Sequence, residues 1–190
     1  HRGLPRTRMA KSKTGSFWLT EELSLAAVNT TYQSSLDLGA YVDVGDQQAI
    51  AIEQVDFVTQ GYDTADDHYN NTLIGTVNAN AAITFQLSDL NPGTEFLAAD
   101  DNALIASGSL MVDNTNFVES TGSDFYPDNF GKLDESRMVV NDSLYLVGLA
   151  STTYIADHEL RITVRIKARI VKLSTKDWMA IAIQSTASDN

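Results

Sequence analysis

The chain of 190 residues contains no cysteine, so disulfide bonds, thiolate nucleophiles and zinc–thiolate sites are excluded. Its apolar runs fall far short of the roughly 18 to 20 residues that a membrane-spanning helix needs. Positive charge is also missing over much of the chain, since no Lys or Arg occurs from Thr14 to Gly131. With a net charge of −12 the molecule as a whole repels polyanions, and only a local basic segment can bind one.

The first basic segment is the N-terminal stretch, which is too polar to fold by itself. It contains five basic side chains and no acidic one: Arg2, Arg6, Arg8, Lys11 and Lys13. We predict a basic arm over residues 1–15 and a single domain over residues 16–190. An arm of this composition suits a negative partner, such as nucleic acid, anionic lipid or the acidic surface of a neighbouring subunit.

The second basic segment is "RITVRIKARIVKL" (161–173), in which polar and apolar residues alternate. A period of two places the basic side chains on one face of a β-strand and the apolar side chains on the other. The basic positions are Arg161, Arg165, Lys167 and Arg169. We predict that this face meets a neighbouring subunit or the interior of an assembly. An ordinary solvated sheet face is the alternative interpretation.

Alternating apolar residues bounded by turn residues recur along the chain and indicate roughly eight or nine strands. In "QAIAIEQVDFVTQ" (48–60) the apolar phase shifts by one residue between Ile52 and Val55, which predicts a β-bulge. Many short strands separated by turn-rich loops favour an all-β fold built as an antiparallel β-sandwich.

One or two short helices are also expected. In the segment 91–108, Thr94 is a candidate N-cap and Gly108 a candidate end signal. The segment "STKDWMAIAIQS" (174–185) begins with capping residues, which predict a helix, although its apolar centre also fits a strand.

The sequence offers no recognisable catalytic set. Its three histidines, His1, His68 and His158, have no partner at a spacing typical of a catalytic or metal site. No phosphate-binding loop and no nucleophile elbow occurs. We therefore predict that the chain is not an enzyme and has no small-molecule substrate.

The acidic segment "DTADD" (63–67), together with His68, is the best metal candidate, with Asp63, Asp66 and Asp67 as the possible ligands. Clustered loop carboxylates suit a hard cation such as Ca²⁺. A solvated acidic turn is the favoured interpretation, so no cofactor is expected, and a structural calcium ion is the alternative.

Three segments together carry a resemblance to a known family: "MAKSKTG" (9–15), "QAIAIEQVDFVTQ" (48–60) and "ELRITVRIKARIVKLSTKDWMAIAIQS" (159–185). They supply a basic arm, a long middle strand, and a long final strand followed by a short terminal segment. In this arrangement the chain resembles the single jelly-roll major capsid proteins of icosahedral viruses of prokaryotes. That group includes the capsid proteins of archaeal viruses with an internal membrane.

The resemblance implies a single jelly-roll subunit that self-assembles into an icosahedral shell, located in the virion. Its partners would be further copies of itself and other capsid proteins, with the arm directed toward the genome or an internal membrane. Two alternatives share the sandwich: a phage decoration or tail protein, and an extracellular carbohydrate-binding module. The size of the native particle separates them.

Overall fold

The computed structural model describes residues 10–70, 72–125 and 137–186, which form eleven β-strands and one α-helix. The elements are β1 (Ala10–Ser12), β2 (Phe17–Leu25), β3 (Thr31–Asp37), β4 (Gln48–Asp63), β5 (His68–Asn70), β6 (Ala81–Ser88), β7 (Leu104–Asp113), β8 (Val118–Phe125), β9 (Arg137–Val139), β10 (Ser143–Ser151), β11 (His158–Leu173) and α1 (Thr175–Thr186).

The strands form two antiparallel sheets. In sheet A the long strands β11 and β4 are paired at the centre, β1 and β2 flank β11, and β9 and β5 flank β4. Sheet B has the order β3-β10-β6-β7-β8. The predicted all-β sandwich is confirmed. The orders β2-β11-β4-β9 and β3-β10-β6-β7 are those of a jelly roll, in which the chain crosses repeatedly between the two sheets.

The main core lies between the sheets and is lined by the inward positions of both. Its largest fully buried side chains are Leu25, Leu38, Ile50, Ile52, Ile83, Leu87, Leu144, Leu146, Leu160, Ile162 and Ile166. At Gly148 in β10 the two sheets approach closely, because a Cβ there would lie 2.8 Å from Cδ1 of Ile162. The absence of a side chain at this position is therefore required for the sheet spacing.

The predictions for the two long strands are confirmed. Along β11 the apolar residues from Ile162 to Ala168 point into the core, and the basic residues point to the outer face of sheet A. The bulge lies in β4, because Lys167 pairs with Gln54 whereas Ala168 pairs with Ile52. Glu53 is thus the extra residue, and it restores the inward phase from Val55 onward.

The predicted helix in the segment 91–108 is wrong. That segment forms turns, followed by β7 from Leu104. The backbone of Leu97 instead forms two hydrogen bonds with the side chain of Gln86, at 2.7 Å and 3.0 Å, which fix the loop over sheet B. The local helix signals are outweighed by tertiary contacts. The strand pairs with β6 and β8, and the residues from Leu104 to Gly108 are buried.

The C-terminal segment is a helix, as the capping residues predict. The backbone N–H of Asp177 donates to Oγ of Ser174 at 3.2 Å, and that hydroxyl donates to the Asp177 carboxylate at 2.9 Å. Trp178 then packs on the outer face of sheet A in a second apolar cluster, whose other members are Ala49, Ala51, Met138, Val140, Val171 and Leu173. Among the described helices, none is long and apolar enough to span a membrane.

Candidate functional site

Positive charge is distributed unequally between the two sheets. Every Lys and Arg of the described residues lies in sheet A, or in the segments next to it: Lys11, Lys13, Arg137, Arg161, Arg165, Lys167, Arg169, Lys172 and Lys176. The five strands of sheet B contain no Lys or Arg. They contain acidic residues, such as Asp37, Asp113 and Glu119. The molecule therefore has one sheet with cations and one without.

Arg161 is held within its own subunit. Its guanidinium carbon lies 3.5 Å from the ring centroid of Tyr62, and its Nη1 lies 3.2 Å from Oε1 of Glu22. Its Nε lies 3.4 Å from Oε2 of Glu159. Partial burial disfavours the charged form of Arg161 and lowers its pKa. The contacts with Tyr69, Glu159 and Glu22 outweigh this effect, so the pKa of Arg161 is raised overall. This residue stabilises the outer face of sheet A rather than offering a free charge.

Arg169 is also paired, and the β4 bulge supplies its partner. Its Nη1 lies 2.6 Å from Oε1 of Glu53, the extra residue of the bulge. The hydroxyl of Ser16 donates to the same carboxylate at 2.9 Å. The bulge therefore turns an acidic side chain toward the basic row of β11.

Arg165 and Lys167 differ from these two. Arg165 is exposed, and its guanidinium carbon lies 5.0 Å from the ring centroid of Trp18. Lys167 stands directly opposite Trp18 in the sheet register. Within the described part of the chain, neither cation has an acidic partner at ion-pair distance. Of the predicted basic face, these two charges are the ones open to an external partner.

The same face carries exposed apolar side chains. Trp18, Val58 and Tyr69 are 44%, 39% and 42% exposed, and all three project from the outer face of sheet A. Trp, Tyr and Arg are enriched at protein–protein interfaces because they combine a large apolar area with a polar group. We call this set, Trp18, Val58, Tyr69, Arg165 and Lys167, the sheet-A face.

A second cationic feature lies where β1 joins β11. Lys11 and Lys172 are directly opposite each other and both are exposed. Like charges in this position repel unless an anion lies between them. The ammonium group of Lys13 donates to Oε1 of Gln48 at 2.9 Å. Gln48 lies in β4 and is directly opposite Lys172 in the sheet register. We call Lys11, Lys13 and Lys172 the basic end.

The basic end is also where the N-terminal arm joins the sandwich. Part of the predicted arm, Ala10–Ser12, is a strand of sheet A. Lys11 and Lys13 are therefore fixed to the sandwich. The other predicted arm residues, Arg2, Arg6 and Arg8, lie outside the described residues, and their role stays a prediction.

The three acidic candidates for a metal site lie at the β4–β5 turn, where Asp66 stays close to Asp63 and Asp67 faces another side chain. Oδ1 of Asp63 accepts the backbone N–H groups of Ala65 and Asp66, at 2.9 Å and 3.1 Å. The hydrogen bond from Asp66 is the main cause that lowers the pKa of Asp63. Asp67 instead accepts the hydroxyl of Tyr62 at 3.0 Å. The side chain that joins Asp63 and Asp66 is His68, with ligand atoms of all three within 4.8 Å of one another.

His158 is the residue of this region that the sequence did not reveal. It pairs with Asp63 in the sheet register, and Asp63 pairs in turn with His68. Asp63 and His68 come from one hairpin, and β11, which is distant in the sequence, brings His158 to them. The clue in the sequence was that His158 stands at the start of the longest strand pattern.

No protein-family model matches the sequence, and no curated protein matches it significantly. The function is therefore inferred from the residues and their arrangement.

Proposed function

We propose that this protein is a structural subunit that self-assembles into a closed icosahedral shell, the capsid of a virus. The observation that carries the proposal is the separation of charge on a jelly roll: cations on sheet A and at the basic end, and none in the strands of sheet B. A fold by itself does not define a function. A fold whose two sheets differ in charge in this way favours contacts between copies.

The sheet-A face is the proposed contact with a neighbouring copy. Arg165 and Lys167, which have no acidic partner at ion-pair distance among the described residues, flank the exposed side chain of Trp18. The neighbouring copy offers acidic groups outside this face, such as the exposed Asp37 of β3 and Asp46 before β4. A contact between two different surfaces of the same chain is heterologous, and such contacts build rings and closed assemblies when the rotation between copies closes.

The basic end is the proposed contact with the contents of the shell. Lys11 and Lys172 repel each other in the free subunit, so an anion bound between them removes an unfavourable interaction. The sequence before β1 carries Arg2, Arg6 and Arg8, which lie outside the described residues. Phosphate groups of a genome or of anionic lipids are the partners that this chemistry suits.

Removal of residues 1–9 is expected to leave the sandwich folded, because β1 remains paired with β11. It should weaken attachment to anionic vesicles or nucleic acid by about 3 kcal/mol, on the order of a hundredfold, since each cation near an anionic surface contributes about 1 kcal/mol. The measurement is co-sedimentation of the protein with each ligand over a salt series.

A variant with Arg2, Arg6 and Arg8 all replaced by Gln is the matched control, because it keeps the length of the arm. It should lose as much binding as the deletion, and the loss should shrink as the salt concentration rises, because salt screens the contacts that the arm makes. Equal binding by all three proteins across the salt series would show that the arm makes no contact with a polyanion.

The proposed shell is tested by the mass of the particle that the full chain forms. A closed shell has a mass many times that of the 20.7 kDa subunit. A decoration or tail protein would form a small oligomer, and a carbohydrate-binding module would stay monomeric.

A further inference from the structure

Three residues lie side by side at one end of sheet A. His158 at the start of β11, Asp63 at the end of β4 and His68 at the start of β5 occupy directly opposed positions in three neighbouring strands. Directly opposed residues project from the same face of a sheet, with their Cβ atoms about 5 Å apart. An aspartate is therefore flanked on both sides by an imidazole.

The orientation of His158 leaves one ring nitrogen directed at the aspartate. Its Nδ1 lies 2.8 Å from the carbonyl oxygen of Ala156, which accepts a hydrogen bond when that nitrogen carries the proton. Its Nε2 then has a free lone pair, and it lies 3.7 Å from Oδ2 of Asp63. A backbone carbonyl that fixes the far nitrogen of an imidazole is the usual support of a metal-binding histidine.

The distance between these two atoms fits two ligands better than a hydrogen bond. At 3.7 Å the nitrogen and the oxygen are too far apart to share a proton. Two ligand atoms on a tetrahedral zinc ion, with bonds of about 2.0–2.1 Å, lie about 3.3 Å apart. Both side chains are largely withdrawn from solvent, at 17% and 14% exposure, so water screens this pair only in part.

The turn between β4 and β5 completes the set. Oδ1 of Asp63 is used by the backbone of the turn, which leaves Oδ2 available. Asp66 and His68 offer further ligand atoms within 4.8 Å of one another and of an Asp63 carboxylate oxygen. His158 lies outside that group in this arrangement and approaches it through Asp63, so a bound ion would draw the four side chains together. The neighbouring Asp157 adds negative charge at this end of the sheet, which favours a cation.

We infer that Asp63, Asp66, His68 and His158 form a binding site for a transition-metal ion of the zinc class. Two imidazoles and two carboxylates match the ligand preference of Zn²⁺, whereas Ca²⁺ takes oxygen ligands alone. The ion would tie the start of β11 to the β4–β5 turn and so stabilise this end of the sandwich. The site is independent of the proposed shell function, and either can hold without the other.

The test uses the full chain without an affinity tag, treated with a chelator and then dialysed. An N-terminal histidine can chelate metal by itself, so every protein in the test also carries His1→Ala. Zn²⁺ binding is measured by calorimetry, and Co²⁺ binding by the visible absorption of a tetrahedral complex. We expect one ion per chain and a rise in Tm of about 5 °C or more at a hundredfold excess over Kd.

Three variants identify the ligands. Asp63→Asn keeps an oxygen that accepts the backbone N–H groups of the turn but removes the anionic ligand, so it should fold normally and bind at least about tenfold more weakly. His158→Gln should do the same. Asp67→Asn is the matched control, because that carboxylate faces Tyr62 rather than the proposed site, and it should bind Zn²⁺ like the parent protein.

Two results would overturn the inference. One is a Kd for Zn²⁺ weaker than about 1 mM in the parent protein, which would leave His158 and Asp63 as an ordinary ion pair. The other is binding that Asp63→Asn weakens but His158→Gln does not, together with equal or tighter binding of Ca²⁺, which would make the site an oxygen-only cation site.

Discussion

Replacing Arg137 with Met is expected to lower the free energy of unfolding by about 3–5 kcal/mol, because it removes a guanidinium that is paired with a buried carboxylate. Arg137 belongs to β9 in sheet A, and its Nη2 lies 3.1 Å from Oδ2 of Asp89, at the end of β6 in sheet B. The Asp89 side chain is only 1% exposed. The same nitrogen donates to the carbonyl oxygen of Asn102 at 2.6 Å. This contact thus joins the two sheets and the loop that precedes β7.

The measurement is chemical unfolding of the unassembled subunit, with a shift in Tm of roughly 6–20 °C as a second readout for a domain of this size. The double variant Arg137→Met/Asp89→Asn should recover part of the loss, because a neutral amide needs no counter-charge. Arg137→Lys keeps the charge and should fall between the parent protein and Arg137→Met. A loss below about 1 kcal/mol in Arg137→Met would show that solvent already screens this pair.

Replacing Trp18 with Ala is expected to prevent assembly at concentrations where the parent protein assembles. An aromatic side chain at the centre of an interface contributes about 2 kcal/mol or more to each contact, which raises the required concentration at least about thirtyfold. Trp18 is 44% exposed, so its loss should leave the fold intact. Light scattering over a concentration series measures the effect, and circular dichroism checks the fold.

Met111 provides the matched control for this prediction. It is 59% exposed and projects from the outer face of sheet B, so Met111→Ala removes a similar kind of surface from the opposite side. We expect assembly of Met111→Ala at the concentration of the parent protein. Loss of assembly in Met111→Ala, with normal assembly of Trp18→Ala, would place the contact on sheet B.

The long strands of sheet A could be predicted because their signal is local. β11 alternates over nearly its whole length, and one face is fully buried from Leu160 to Ala168. The bulge at Glu53 was visible as a change of apolar phase, since each inward position must face the core. The ion pair that Glu53 forms at the bulge could not be predicted, because its partner, Arg169, lies on another strand.

Three strands of only three residues, β1, β5 and β9, could not be predicted from pattern. A segment as short as Ala10–Ser12 contains no alternation, and it is a strand because β11 offers it a free edge. The wrong helix prediction in the segment 91–108 has the same origin. The local capping residues indicate a helix, but pairing with β6 and β8 makes the end of this segment a strand. The contact of His158 with Asp63 likewise depends on the register of two long strands, which no spacing in the sequence encodes.

The central claim is that copies of this chain form a closed shell. The most direct test is the mass and shape of the purified full-length protein in solution, by analytical ultracentrifugation and negative-stain electron microscopy over a range of salt concentrations. The claim predicts uniform, closed, roughly spherical particles whose mass is a large multiple of 20.7 kDa. A monodisperse species of 20.7 kDa, at high concentration and at every salt concentration, would contradict it.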